Sequence, residues 1–462
     1  MIEMSIGQIA KIVGGEVIGI DPESKTCAYP VISSKEAGPG TFFAALKGSN
    51  TDGHNFVEEA IKSGSQFALV SSQVTGAAIK VSDVSEALAT LATYVRQELK
   101  ALKVIGITGS QGKTTTKDLL QHILQISGET ISPEGSLNNE LGVPLLILRC
   151  TLATKYCIVE MGARHAGDIS YLVDIARPHI GVVLVVGSAH LGEFGSREKI
   201  AETKAELIAG LASGGTAILG TYDEFTPNME VPSGVERITF GENSRCNVRA
   251  ADVEIREGRA HFDLVTRDGR AAVSLQLLGM HQIPNALAAA AVATALNISI
   301  DSISAALSTA EIKSKWRMQV EEINGITMIN DSYNANPESM AAALRTVALI
   351  SQETGGVSWA FLGKMNELGA SSGREHAEIG QLVTKIGIDN LVSIGTRDYM
   401  TQLSEASDRG ESAVHFFENR AAALALVEHF AVGDVVLIKA SRSEEFNLLA
   451  DLMREKLTED LA

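Results

Sequence analysis

The chain has 462 residues, 45% of them hydrophobic and 21% charged, with a formal net charge of −17. That length exceeds one ordinary domain and sets an expectation of roughly three, in a globular protein of ordinary composition. An acidic balance with no basic stripe excludes a general nucleic-acid binder, so any phosphate group would be held by local lysines, backbone N–H groups and metal.

The opening residues Met1-Ile2-Glu3-Met4-Ser5 carry no basic region and no long apolar core, so no signal peptide is expected. The longest uninterrupted apolar run, 286–293, is mostly alanine and far too short for a membrane span. Cys27, Cys150, Cys157 and Cys246 contain no C-x-x-C pair. Reduced, mostly buried thiols in a cytoplasmic protein are the expectation.

Residues 1–98 read as a small α/β unit. It holds a helix over 6–13, an apolar strand over 41–46, a helix near 56–63, a buried strand over 67–70 and a long helix over 84–101 capped by Ser82. The polar loop 47–54 reads either as a surface turn or as a diphosphate or sugar site, with donors from Lys47, His54 and nearby Ser34 and Lys35.

Over 99–311 strands and helices alternate as in a mostly parallel sheet covered on both faces. The apolar strand 104–107 leads into Thr108-Gly109-Ser110-Gln111-Gly112-Lys113-Thr114-Thr115-Thr116, and a helical pattern follows over 117–126. Strand, glycine loop and helix is the setting of a phosphate-binding loop. The glycines let the backbone curl so that N–H groups point into one hollow, and the helix adds its positive dipole end. Lys113 can reach the β- and γ-phosphates and the Thr114 hydroxyl can bind Mg²⁺. Ile107 stands where the longer pattern G-x-x-x-x-G-K-[ST] has its first glycine.

A strand over 156–159 ends at Glu160, and another over 180–186 ends shortly before His190. Ligands of open α/β sheets bind beyond the carboxyl ends of the strands, so Thr114, Glu160 and His190 form a candidate Mg²⁺ site. A helix-side charge and a core histidine are the plainer readings of the last two. On a helix over 199–211, Lys204 lies among Lys199, Glu202 and Glu206, the pattern of a solvated face. Residues 220–278 read as a small antiparallel section. Asn285 then caps an alanine-rich helix over 286–296, and its amide could also contact a base.

Residues 312–462 read as a Rossmann-like unit without G-x-G-x-x-G, so no dinucleotide cofactor is expected. Its strand 326–329 ends at Asn330-Asp331-Ser332-Tyr333-Asn334-Ala335-Asn336-Pro337, with Asn336 as cap and Pro337 at the first helical position. Further strands lie over 359–362, 391–394 and 435–438, the last ending at Lys439-Ala440-Ser441-Arg442-Ser443.

Taken in order, these motifs resemble the Mur ligase family, ATP-dependent amide-bond ligases of peptidoglycan precursor synthesis, over nearly the whole chain. The short loop Gly109-x-x-Gly112-Lys113-Thr114, Gly135-x-x-Asn138-Asn139-Glu140-x-Gly142-x-Pro144, Glu160-Met161-Gly162-Ala163 and Ala189-His190-Leu191-x-x-Phe194-Gly195 carry the resemblance. Asp331-Ser332-Tyr333-Asn334-Ala335-Asn336-Pro337 is similar to the branch that adds D-alanyl-D-alanine. The resemblance implies an α/β fold in three domains: a small α/β UDP-sugar domain (1–98), a central P-loop-type ATPase domain on a mostly parallel sheet (99–311), and a C-terminal Rossmann-like domain (312–462).

The resemblance also implies an ATP-dependent ligase that joins D-alanyl-D-alanine to UDP-N-acetylmuramoyl-tripeptide through an acyl phosphate, with one or two Mg²⁺ ions. Gly109, Ser110, Gln111, Gly112, Lys113, Thr114 and Thr115 would hold ATP, Asn285 and Asp331 would contact adenosine, and Arg317 would reach the phosphates. Thr114, Glu160 and His190 would bind metal. Lys204 matches a lysine that is carbamylated in related ligases. Ser34, Lys35, Lys47, Asp52, Gly53 and His54 would form the UDP-sugar site, and Asn138 and Asn139 would face the acyl substrate. Tyr333, Asn334, Asn336, Ser441 and Arg442 would lie near the dipeptide. A monomer with neither nucleic-acid nor membrane partner is expected. Ser33-Ser34-Lys35 departs from the frequent Asp-Ser-Arg, and Trp316 stands where glycine is common. A folate ligase of similar architecture would need no UDP-sugar domain, and an ATP-gated binding protein would form no amide bond.

Overall fold

Three main sheets, of five, nine and six strands among the described residues, follow one another along the chain, beside a two-stranded pair of Met4–Ser5 with Lys25–Thr26. A computed structural model describes residues 1–135, 137–188, 191–311, 314–401, 403 and 412–459. In the first unit a five-stranded sheet runs in the order Glu16–Ile18, Ala78–Lys80, Ala68–Val70, Thr41–Ala44, Tyr29–Val31, parallel except for its first pair. Helix Ile6–Val13 starts from a Ser5–Gln8 capping box and stops at Gly14, which takes the left-handed conformation (φ 65°). The long helix is Val84–Glu98, and Asp83, not Ser82, caps it. The Asp83 carboxylate accepts the Glu86 N–H at 2.9 Å, one residue nearer the helix than expected.

The central sheet has nine strands among the described residues. They run in the order Gly269–Leu278, Arg259–Thr266, Val248–Arg256, Glu236–Gly241, Thr216–Gly220, Ile180–Val183, Lys103–Thr108, Tyr156–Glu160, Thr130–Ile131. From Val248–Arg256 onward neighbours are parallel. The expected antiparallel section is therefore present but not separate: Phe240 and Gly241 pair in parallel with Val248 and Arg249, which fixes the meander to the edge of the main sheet.

Alternation along the strands decides which face each side chain enters. Ile105, Ile107 and Ile158 pack with Leu119, Leu120 and Ile123 of helix Lys113–Gln125 and with the alanines of helix Gln282–Ala295. The small side chains of 286–293, all fully buried, let these two helices approach closely. Val104, Cys157 and Val159 face the opposite layer, with Leu172 of helix Asp168–Ala176 and Leu207 of helix Arg197–Ala209. That same apolar cluster continues through Leu88 and Leu91 to Phe42 and Phe67, so the first unit and the central sheet share one core. All four cysteines are free thiols, three of them buried.

The third unit has a six-stranded sheet in the order Gln319–Ile323, Ile326–Asn330, Val435–Lys439, Ser358–Leu362, Asn390–Ile394, Ala413–Phe417, parallel except for its first pair. Its edge strands Gln319–Ile323 and Ala413–Phe417 escaped sequence reading: both are half exposed, and the first mixes glutamates with valine and isoleucine. The inner strands are buried and mostly apolar, as sheets covered on both faces require. Asn336 caps helix Pro337–Thr354 as expected.

Arg96, buried on the long first-unit helix, ties that unit to the central one. Its Nε donates to Ala176 O at 2.9 Å and its Nη2 to Arg177 O at 3.0 Å. It thereby caps the C-terminus of helix Asp168–Ala176 with a cation. His179 Nδ1 accepts the Val104 N–H at 3.1 Å, which keeps the ring neutral. Burial first, then the charges of Arg96 and Lys103, push its pKa from 6.5 down to about 4. The unfolded chain binds a proton at this group between those values and the folded chain does not. Stability is therefore fully present above about pH 6.5 and falls as pH drops toward about 4. His179→Asn keeps an acceptor near the same point and should reduce the slope of Tm against pH in that window. An unchanged slope would show that His179 is not a titrating group there.

Candidate active site

The carboxyl ends of the central strands and of the third-unit strands open onto one cavity of about 1430 Å³. Its floor is the phosphate loop. Strand Lys103–Thr108 turns at Gly112 (φ 82°), where a Cβ would sit 2.3 Å from Asn285 Oδ1. Only glycine fits a left-handed turn that close to another side chain. Asn285 is not the helix cap expected from sequence, because helix Gln282–Ala295 begins a turn earlier. Its buried amide donates to Gln282 Oε1 at 2.9 Å and braces the loop from behind.

Lys113 Nζ folds onto Gly109 O at 2.5 Å. Burial lowers its pKa, opposed by Glu160 and assisted by Arg317. Thr114 Oγ1 donates to Glu160 Oε2 at 3.2 Å. Glu160 is 2% exposed and its Oε1 has no partner. Burial raises its pKa, while Arg317, Lys113 and Lys117 pull it back. A buried carboxylate oxygen left without a donor beside a phosphate-loop hydroxyl fits a hard divalent cation, which takes oxygen ligands and completes its shell with water and phosphate. Among the described residues no group of three or more His, Cys, Asp or Glu gathers to hold a metal unaided.

Lys204, read from sequence as part of a solvated face, is instead buried, and it does not itself line the cavity. Desolvation, then repulsion from Lys113, pushes its pKa down to about 7. The helix turns Lys204 inward because Ile200, Thr203, Leu207 and Ile208 on the same side are also buried.

The third unit supplies the roof. Arg317 stacks over the Tyr333 ring at 4.0 Å and its buried Nε has no partner. Asp331 Oδ1 accepts the Met318 N–H at 3.0 Å, and Oδ2 accepts from Lys439 Nζ at 2.5 Å. Lys439 also donates to Asn334 O at 3.0 Å, fixing the loop after strand Ile326–Asn330. Asn336 spends its side-chain oxygen on the Ser339 N–H as a cap. Ser441 Oγ accepts the Asn366 N–H at 2.9 Å. Glu338 bridges the two units: Oε1 accepts the Ser188 N–H at 2.7 Å and Oε2 the Ser188 hydroxyl at 3.0 Å. The adjacent Gly187 N–H donates to Ser110 Oγ in the phosphate loop at 2.8 Å.

The cavity thus brings together Ser110, Gln111, Gly112, Lys113, Thr114, Thr115, Asn138, Asn139, Glu160, Asn285, Arg317, Asp331, Tyr333, Asn334, Asn336, Ser441 and Arg442. Gly109 lies just behind the lining, and His190 falls outside the described residues. Ser34, Lys35, Lys47, Asp52, Gly53 and His54 stay apart in the first unit. There Asp52 Oδ1 pairs with His54 Nδ1 at 2.6 Å, and His54 Nε2 accepts the Ser71 N–H at 2.9 Å. Both ring nitrogens therefore hold the loop itself.

The Mur ligase middle domain matches residues 107–293, and the Mur ligase, glutamate ligase domain matches residues 316–442. The chain is 39% identical to the UDP-N-acetylmuramoyl-tripeptide–D-alanyl-D-alanine ligase of Mycobacterium tuberculosis, covering 98% of each. It is 32% identical to the Escherichia coli ligase of the same name, covering 99% of this chain and 100% of that one. The chain belongs to the Mur ligase family. Among solved structures of Mur ligases, MurF from Acinetobacter baumannii superposes with a TM-score of 0.86 at 33% identity, covering 98% of this chain and 99% of that one. MurF from Thermotoga maritima, solved in complex with ADP, gives 0.80 at 28% identity, covering 94% and 99%.

The Mur ligase matches take in the phosphate loop, Glu160 and Asn285 in one segment and Arg317, Asp331 and Arg442 in the other. Sequence reading missed Lys439, Glu338 and His281, which also line the cavity. Lys439 ends a buried strand, the position where open sheets place ligands, and that signal was available. Glu338 had none, because its partner Ser188 is remote in sequence. Gly112→Ala should cost about 1–2 kcal/mol of stability through the left-handed backbone and the clash with Asn285. It should also abolish ADP binding by calorimetry; wild-type affinity would show that the loop does not hold the nucleotide.

Proposed function

We propose that this chain joins D-alanyl-D-alanine to UDP-N-acetylmuramoyl-tripeptide in peptidoglycan precursor synthesis, with ATP cleaved to ADP and phosphate. The chain is an ATP-dependent ligase of the Mur family, and relatives at 39% and 32% identity carry that name over their full lengths. The observation that carries the mechanism is a single cavity in which Lys113, Thr114 and Glu160 of the central unit face Arg317, Asp331 and Arg442 of the third.

In this reading residues 1–98 bind the UDP-sugar through Ser34, Lys35, Lys47, Asp52, Gly53 and His54. Residues 99–311 bind ATP through Gly109 to Thr115 and Asn285, and residues 312–462 complete the adenosine site through Asp331 and receive the dipeptide at Tyr333, Asn334, Asn336, Ser441 and Arg442. Asn138 and Asn139 hold the tripeptide end beside the phosphate loop. Its terminal carboxylate attacks the γ-phosphorus, the bond to the β-phosphate oxygen breaks, and ADP leaves an acyl phosphate. Lys113 leaves Gly109 O for the phosphoryl oxygens, and Arg317 neutralises their charge from the opposite side. Thr114 and Glu160, with His190, would hold Mg²⁺, which supplies further positive charge at those oxygens. The dipeptide amine then attacks the acyl carbon, and phosphate leaves from the tetrahedral intermediate. The Glu338–Ser188 contact holds the third unit over the site, which protects an acyl phosphate from water.

The low pKa of Lys204 supports its carbamylation. Near pH 7 its neutral amine can attack CO₂, forming an N–C bond and releasing a proton to solvent. The product is an anion, so the repulsion of Lys113 becomes attraction. Among the described residues no helix is long and apolar enough to cross a membrane. We place the protein in the cytoplasm as a monomer.

ADP release should require both UDP-N-acetylmuramoyl-tripeptide and D-alanyl-D-alanine, and ATPase activity indifferent to both would sink the ligase reading. Lys113→Ala should leave the fold intact by circular dichroism and lower kcat by at least about a thousandfold. A smaller loss would remove Lys113 from the chemistry. With ¹³C-bicarbonate, a carbamate signal should grow as pH rises through about 7 and vanish in Lys204→Arg; its persistence in the variant would place the modification elsewhere.

A further inference from the structure

Trp316 has a left-handed backbone, φ 60°, immediately before Arg317, and Met318 follows at φ 47°. A bulky side chain is disfavoured in that region, and glycine is the residue that accepts it freely. The indole does have a partner: the Arg442 guanidinium lies over its ring, 4.2 Å from the centroid. Arg442 lines the cavity, whereas Trp316 does not. The second partner of Arg442 is neutral, with Nη1 donating to Asn447 Oδ1 at 3.1 Å.

A matching stack lies alongside. Arg317 covers Tyr333, and the Tyr333 N–H donates to Trp316 O at 3.0 Å. Two arginine–aromatic pairs are therefore tied together by one backbone hydrogen bond. An aromatic face fixes the plane of a guanidinium while leaving its N–H edge free, and that edge matches a carboxylate in two parallel hydrogen bonds. The dipeptide of the proposed reaction keeps its own carboxylate throughout, since only its amine reacts.

We propose that Trp316 is a positioning residue for the acceptor substrate: its indole holds Arg442 so that the guanidinium receives the carboxylate of D-alanyl-D-alanine. The strained backbone is retained because the ring it carries sets that geometry. This inference rests on the ligase reading above.

The test is steady-state ADP release by wild type, Trp316→Gly, Trp316→Phe and Trp316→Leu, with D-alanyl-D-alanine and with its C-terminal amide. Trp316→Gly should raise KM for the dipeptide about tenfold with the KM for ATP within about twofold of wild type. It should also shrink the preference for the acid over the amide. Trp316→Phe should recover most of that preference and Trp316→Leu should not. Equal recovery by leucine, equal rises in both KM values, or an unchanged preference in Trp316→Gly would each overturn the inference alone. If Trp316→Gly fails to fold, the phenylalanine–leucine comparison decides. Wild-type ADP release that ignores the dipeptide would overturn the ligase reading, and this inference with it.

Discussion

Lys113 and Arg317 converge on one buried carboxylate, Glu160, with Lys204 near enough to Lys113 to feel its charge, inside a chain whose net charge is −17. Burial alone pushes the two lysines toward their neutral forms and the glutamate toward its acid form. The unpartnered atoms, Glu160 Oε1 and Arg317 Nε, need ligands of opposite charge. In the proposed reaction a metal-bound polyphosphate would meet both needs at once. The rest of the fold serves to hold these groups in place, which is what electrostatic preorganisation requires.

Such a site cannot be built from one unit. The phosphate loop belongs to the central sheet, whereas Arg317 and Asp331 belong to the third. Their alignment depends on contacts between the two units. Glu338 gathers two donors from Ser188, and Gly187 beside it donates to Ser110 in the loop. At the linker, Asp118 pairs with Lys117 at 2.5 Å and accepts the Ser314 N–H at 3.3 Å. Helix Lys113–Gln125 therefore reaches the third unit from its side as well as from its N-terminal end. The first unit is bound differently, through a shared apolar core and the Arg96 clamp on helix Asp168–Ala176.

The path from residues to site was open wherever a pattern was local. The stretch 108–116 declared its loop because strand, glycines, lysine and helix are contiguous, and the inner parallel strands declared themselves as apolar runs. Edge strands such as Gln319–Ile323 did not, because half-exposed strands mix glutamates with valine and isoleucine. Asn285 was read as a cap because the turn preceding it gave no sign that it was already helical. Lys204 was read as solvated because its neighbours in sequence are charged, although the side chain is buried.

By itself the sequence determined the phosphate loop, the alternation of strands and helices, and, through motif order, the family. These follow from covalent spacing and from the period of apolar residues, which a single strand or helix carries within itself. The tertiary structure alone decided that Glu160 is left with an unpaired oxygen, that Lys204 is desolvated, and that Arg442 rests on a tryptophan more than a hundred residues earlier. Desolvation and stacking depend on what arrives from distant parts of the chain, and no local pattern encodes that.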